Sequence, residues 1–147
     1  METRKVKNIF VQGSISSAFI GDSIQKHSMK TDIGAQSIFL GQVRKDVIDG
    51  KQVEAIEYST YEEMALEQMH KIREDIFQNY ELTCMHVYHS IGIVKAGEIS
   101  LFVFTSSIHR NAAVDACKEV VERIKKELPV WGKELFDDAT FQWKQNN

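Results

Sequence analysis

The chain has 147 residues, 43% of them hydrophobic, with one proline, eight glycines and two cysteines. That length and composition fit one domain spanning residues 1–147 with a core of its own, and they exclude collagen-like, low-complexity and disordered chains. Eighteen basic against twenty-one acidic side chains give a formal charge of −3, which excludes a generally basic nucleic-acid binder while leaving local patches open.

The elements follow in chain order. The polar stretch Met1–Lys7 lacks the apolar core of a secretory signal. Asn8 to Gln12 reads as a strand, broken at Gly13-Ser14. Ile15 to His27 has helical spacing of apolar residues at Ile15, Ala18, Phe19 and Ile24. Ile33 to Val43 reads as a strand in which Gly41 marks a bulge or a close approach of another backbone. Arg44 to Lys51 is a turn-rich loop, Asp49-Gly50 is a hairpin signal, and Val53 to Tyr58 alternates as a strand pairing back. Thr60 followed by Glu63 fits a capping box for a helix to about Tyr80, with the stripe Tyr61, Ala65, Met69, Ile72, Ile76, Tyr80. Thr83 to His89 and Glu98 to Thr105 read as strands joined across Gly92 to Gly97, the second apolar enough to be central. Ser107 reads as the cap of a third helix, about Ile108 to Glu127, stopped by Pro129. The tail Val130 to Trp143 mixes aromatic and charged residues, with room for short strands. The order β-α-β-β-α-β-β-α-(β) is an α+β pattern: a mostly antiparallel sheet covered by three helices. No run approaches the ~18 apolar residues of a membrane span. The cysteines, Cys84 and Cys117, are too few for a disulfide framework and fit reduced thiols, so a cytoplasmic location is expected.

Chemistry concentrates at element ends. The third helix opens on Ser106-Ser107-Ile108-His109-Arg110. A helix N-terminus is a positive pole that normally attracts carboxylates. Adding His109 and Arg110 there makes sense for an anion such as phosphate, although a surface arginine paired with a carboxylate is the other reading. At the far end, about 100° per residue puts Lys125 some 80° from the centre of the apolar stripe Ala113, Cys117, Val120, Ile124, Leu128 and Lys126 about 180° away. Lys126 is therefore a solvated lysine. Lys125 lies on the rim, where its ammonium is partly desolvated and its pKa can fall, or where it simply snorkels to water. Arg44 ends the Gly41 strand and is either a site residue or an ordinary surface arginine. No metal is expected: Cys84 and His86 share one strand face, His89 takes the other, and His27 and His70 lie on separate helices. No phosphate-binding loop, dinucleotide fingerprint or nucleophile elbow is present.

Six blocks stand in register: Phe39-Leu40-Gly41-Gln42-Val43-Arg44, Gly50 to Val53, Tyr58-Ser59-Thr60-Tyr61-Glu62-Glu63-Met64-Ala65, His89-Ser90-Ile91-Gly92 with Gly97-Glu98, Ser107-Ile108-His109-Arg110, and Lys125 with Pro129-Val130-Trp131-Gly132-Lys133-Glu134. Together, from about Phe10 to Trp143, they resemble the large, catalytic subunit of molybdopterin synthase. The resemblance implies an α/β hammerhead-type α+β fold. It implies conversion of cyclic pyranopterin monophosphate to molybdopterin, with two sulfurs delivered by the C-terminal Gly-Gly thiocarboxylate of a small ubiquitin-like partner. It also implies a homodimer within a heterotetramer, and no cofactor. Lys125 matches the principal catalytic lysine, and Phe39, Arg44, His109, Arg110 and Glu134 match substrate-binding positions. The cysteines are not needed, because the partner carries the sulfur.

Two positions depart from the family pattern. A second active-site lysine usually follows the tryptophan directly, but here that position is Gly132 and the lysine is Lys133. Either a local shift brings Lys133 into the pocket, or the site lacks that lysine; a one-residue shift in a strand reverses the side chain's face. Ser90 stands where an arginine is common. The competing reading is a non-catalytic homologue that binds a ubiquitin-like tail or a phosphorylated ligand as a scaffold.

Overall fold

The structure, a computed structural model, describes residues 8–144; the Met1–Lys7 stretch and residues 145–147 lie outside the described residues. In chain order the elements are β1 (Phe10–Gln12), α1 (Ser17–Lys26), a 3-10 turn (His27–Met29), β2 (Ala35–Gln42), β3 (Val47–Ile48), β4 (Lys51–Thr60), α2 (Glu62–Asn79), β5 (Cys84–Lys95), β6 (Ile99–Ser107), α3 (Arg110–Glu127), β7 (Val130–Phe136) and β8 (Phe141–Trp143). The strands form one sheet in the order β2-β6-β5-β4-β7-β8, with β3 on β4. All pairings are antiparallel except that of β1 with β5. This is the expected α+β arrangement with three helices. No helix among the described residues is long and apolar enough to cross a membrane.

Alternation in β5 and β6 divides the interior. Met85, Val87, Leu101 and Val103 face α2 and α3, meeting Ala65, Met69, Ile72 and Ile76 of one helix and Ala116, Cys117, Val120 and Ile124 of the other. Cys84, Phe102 and Phe104 face the opposite way, where Ile15 and Phe19 cover them. A third cluster, Val43, Val53, Ile56, Val94 and Phe136, seals the end of the sheet built on β4 and β7. Burial on both faces explains why β6 reads as a near-continuous apolar run.

Local chemistry differs from expectation at three places. Thr60 does not cap α2. Its hydroxyl donates to the Pro129 carbonyl at 2.7 Å, tying β4 to the end of α3, and Tyr61 takes the N-cap position without a side-chain bond. Ser107 serves α3 from further back than expected. His109 is the N-cap, while the Ser107 hydroxyl accepts from Ala113 N at 3.0 Å and donates to the His109 carbonyl. The Gly92–Gly97 connection is largely strand: β5 runs to Lys95, pairing with β6 through its first half and with β4 through its second. The hairpin signal is met, since Asp49 and Gly50 have φ of 51° and 76° and link β3 to β4 as a turn of the primed kind requires. At Gly41 the β2–β6 register shifts, and a Cβ there would come within 3.1 Å of Leu101 Cβ.

Candidate active site

The last turn of α3 meets β4, β5, β6 and β7 at a narrow cleft lined by Tyr58, His89, Ser100, Lys125, Gly132 and Lys144. Each strand contributes through its alternation. His89 belongs to the set Met85, Val87, His89 on the α2–α3 face of β5, and Gly132 opposes Tyr58 across the β4–β7 ladder. The cleft encloses about 40 Å³, far below the ~300–1,000 Å³ of sites that enclose a drug-sized ligand.

Lys125 sits where the helical arithmetic put it, on the rim of the buried stripe; as a residue it is exposed, like Lys126, but its side chain lines the cleft. Its pKa is lowered, first by desolvation of the ammonium, then by the charge of Lys144; Glu122 opposes this and Arg44 adds to it. The helix C-terminus attracts cations on its own account, and Lys126 shares that pole. What distinguishes Lys125 is the cleft.

His89 is 8% exposed. Its Nδ1 donates to the Ser90 carbonyl at 2.8 Å, and its ring meets the Tyr58 ring edge-on with centroids 5.1 Å apart. Burial is the main reason its pKa falls to about 4; the bond to Ser90 opposes this and Lys125 reinforces it. The imidazole is therefore neutral at pH 7, with Nδ1 committed to donation and Nε2 left as an acceptor. The Tyr58 hydroxyl donates to Ser100 Oγ at 3.3 Å. Burial raises the Tyr58 pKa, the Ser100 bond opposes the rise, and Glu134 adds to it. Ser90 is fully buried, and its Oγ has no partner among the described residues.

The β7 strand decides between the two lysine readings. Lys133 opposes Glu57 on β4 and Trp143 on β8. Its Nζ lies 3.9 Å from the Glu57 carboxylate, 4.2 Å from the Phe141 ring centre and 5.6 Å from that of Trp143. That is the face away from the cleft, so the expected entry of Lys133 does not occur. Gly132 has the cleft-facing position, and Lys144 fills the space beside it. The Lys144 amide donates to the Gly132 carbonyl at 2.8 Å, and a Cβ built on Gly132 would lie 3.7 Å from Lys144 Cβ. Lys144 was missed because the β7–β8 turn, Asp137 to Thr140, has neither glycine nor proline to mark a hairpin. The available signal was the alternating Phe141-Gln142-Trp143 run, which folds back on β7 and carries Lys144 to Gly132.

The remaining expected residues divide by distance. Arg44 stands near Lys125 and pairs with Asp46 at 3.3 Å, its side chain 72% exposed. Phe39 lies beside Val121 and Glu122 on the neighbouring stretch of α3, outside the cleft lining. Glu134 is buried opposite Ile56 on β4 and accepts from Gln142 Nε2 at 3.1 Å. His109 and Arg110 open α3, with His109 beside the segment from Tyr80 to Thr83. Fifteen residues at ~1.5 Å each separate Arg110 from Lys125 by roughly 22 Å. The basic residues at the two ends of α3 therefore do not converge within one chain. Among the described residues, one group of side chains is spaced for a cation: His27, Cys84 and His86, on the α1 face of the sheet.

A family model described as MoaE protein matches residues 15–127. The chain belongs to the MoaE family. Curated MoaE-family relatives called molybdopterin synthase catalytic subunit include one from Dictyostelium discoideum, 39% identical over 77% of this chain and 73% of its own length. One from Pyrococcus abyssi is 36% identical over 74% of this chain and 72% of its own length. The rat relative is 35% identical, with the match covering 56% of its length, and only 32% of the Drosophila grimshawi relative is covered. Molybdopterin synthase from Staphylococcus aureus superposes with a TM-score of 0.82 at 27% identity, covering 96% of this chain and 99% of that one. A Helicobacter pylori complex of subunits 1 and 2 of molybdopterin-converting factor shares the MoaE fold, with a TM-score of 0.79 at 20% identity.

Proposed function

We propose that the chain is the catalytic subunit of a molybdopterin synthase. Its substrate is cyclic pyranopterin monophosphate, and two sulfurs arrive from the C-terminal Gly-Gly thiocarboxylate of a small ubiquitin-like subunit. The observation that carries this reading is the pairing of family membership with a lysine, Lys125, whose head is partly desolvated at the cleft where MoaE-family chemistry is expected.

The residues divide the work by charge. Sulfur transfer from an acyl carrier to carbon develops negative charge and requires protons to be moved. A lysine with a lowered pKa can do both: its ammonium steadies the charge, and its larger neutral fraction accepts a proton. Lys144 supplies a second cation at the same cleft, and together the two hold an anionic tail. Neutral His89 adds an acceptor without adding charge. The cleft is too small to enclose a pterin, so the substrate lies on the open side towards Arg44, and the narrow part takes the partner's tail. His109 and Arg110 can join such a site only from a second copy, which fits the homodimer within a heterotetramer that the family resemblance implies. Exposed Tyr61, Trp131 and Trp143 give the sheet a surface suited to a protein partner.

This assignment makes Lys144, not Lys133, the second lysine, which removes the main sequence argument for a non-catalytic scaffold. The test is turnover with thiocarboxylated partner and precursor. Lys144→Ala is expected to lower kcat on the order of 10²-fold, the loss typical of one charge-stabilising group, with Lys133→Ala within about two-fold of wild type because it acts on a remote face. The reverse result would return the role to Lys133.

A further inference from the structure

On the opposite face of the sheet from Lys125, three side chains with metal-binding atoms converge without any part in the proposed sulfur transfer. Cys84 and His86 are two apart on β5, so both project from its α1 side. His27 arrives at the end of α1, where the chain tightens into the 3-10 turn. Nε2 of His27 and Nε2 of His86 are 3.0 Å apart, and both lie with Cys84 Sγ inside a 4.8 Å span. Helical spacing alone places His27 at the end of a helix, apart from the strand pair. The end of that helix packs on the strand.

Two further features are those of an outer shell around a cation. His27 Nδ1 donates to the Ser23 carbonyl at 2.7 Å, which fixes the tautomer with the Nε2 lone pair aimed into the cluster. That backbone anchor is the usual way a ligating imidazole is oriented. Lys30 Nζ donates to Cys84 Sγ at 2.8 Å, placing a compensating cation beside the sulfur in its anionic ligand form. The His27 ring is tilted against Phe104, with centroids 4.4 Å apart, so it is held in place from the sheet side.

We propose that His27 Nε2, His86 Nε2 and Cys84 Sγ form a binding site for one borderline-soft divalent cation of the zinc class, with water as the fourth ligand. Tetrahedral zinc with Zn–N of about 2.0–2.1 Å and Zn–S of about 2.3 Å places its ligand atoms roughly 3.3–3.6 Å apart. The cluster needs a shift of little more than an ångström to reach that spacing. Binding releases the Cys84 thiol proton, and the His86 proton moves from Nε2 to Nδ1, so that both imidazoles ligate as neutral groups. Because His27 follows α1 while Cys84 and His86 lie on β5, the bound ion would tie the end of α1 to the sheet, and its water-filled fourth position would leave it exchangeable.

The probe is cobalt(II), titrated anaerobically into the tag-free full chain after chelator treatment. Wild type is expected to give a saturable one-to-one thiolate-to-cobalt charge-transfer band that zinc(II) abolishes. Cys84→Ser removes the band and Cys117→Ser keeps it. His27→Gln and His86→Gln each weaken cobalt binding at least ~10-fold, a loss that outer-shell partners alone can cause. Circular dichroism of each variant establishes folding, and His86→Gln substitutes as the critical variant if Cys84→Ser does not fold. Absence of a saturable band in folded wild type, or unchanged affinity in both histidine variants, would overturn the site. The readout is independent of sulfur-transfer activity, so it stands or falls apart from the proposed function.

Discussion

His89 gives the chain a calculable weakness in acid. Its pKa is about 4 in the folded state against 6.5 for an ordinary histidine, chiefly because the ring is buried. The sign follows from proton counting. Between those two values the unfolded chain binds a proton at His89 that the folded chain does not, so protonation favours unfolding. The stabilisation is complete above pH 6.5, declines as pH falls and is exhausted below about pH 4. Linkage puts the loss at about 2 kcal/mol by pH 5 and about 3 kcal/mol once both states are protonated. Other groups titrate in this window, so the informative quantity is a difference. Urea unfolding of wild type and His89→Gln at pH 7 and pH 5 isolates it, because glutamine is polar but does not titrate. Stability of the variant should fall by about 2 kcal/mol less between the two pH values than that of wild type. Equal pH dependence in the two proteins would refute the account of His89 as a buried neutral imidazole.

Other perturbations test neighbouring parts of the account. Removing the charge in Lys144→Ala should raise the Lys125 pKa, which lysine-selective NMR titration would report; an unchanged titration would mean that the two ammonium groups do not share the cleft. Thr60→Val should cost about 1 kcal/mol through the lost bond to the Pro129 carbonyl. It should leave hydrogen exchange in the first turn of α2 unchanged, whereas faster exchange confined to that turn would restore the capping role. Lys126→Ala should leave both stability and turnover near wild type, since Lys126 is solvated on the outer face of α3.

The sheet and helices were legible because burial imposes periodicity. The α3 stripe, the doubly buried β6 and the Asp49-Gly50 turn all follow from local rules. So did the rim position of Lys125, since helical geometry alone separates it from Lys126. The capping assignments failed because a hydroxyl at a helix start has other acceptors within reach, and Thr60 found one on Pro129, 69 positions away in sequence. The cleft was only half legible. Lys133 was doubtful on strand parity, and the structure puts it on the far face. The approach of His27 to His86 joins residues 59 positions apart, and no local pattern encodes it. Lys144 rides on the local β7–β8 hairpin, whose turn from Asp137 to Thr140 has neither glycine nor proline to mark it.

In the proposed function, Lys125 performs chemistry which its neighbour Lys126 cannot. Single-turnover formation of the dithiolene, with thiocarboxylated partner and cyclic pyranopterin monophosphate, measures this most directly when wild type, Lys125→Ala and Lys126→Ala are run side by side on folded protein. The expected result is no detectable product from Lys125→Ala and near wild-type product from Lys126→Ala. Equal product from wild type and Lys125→Ala would contradict it.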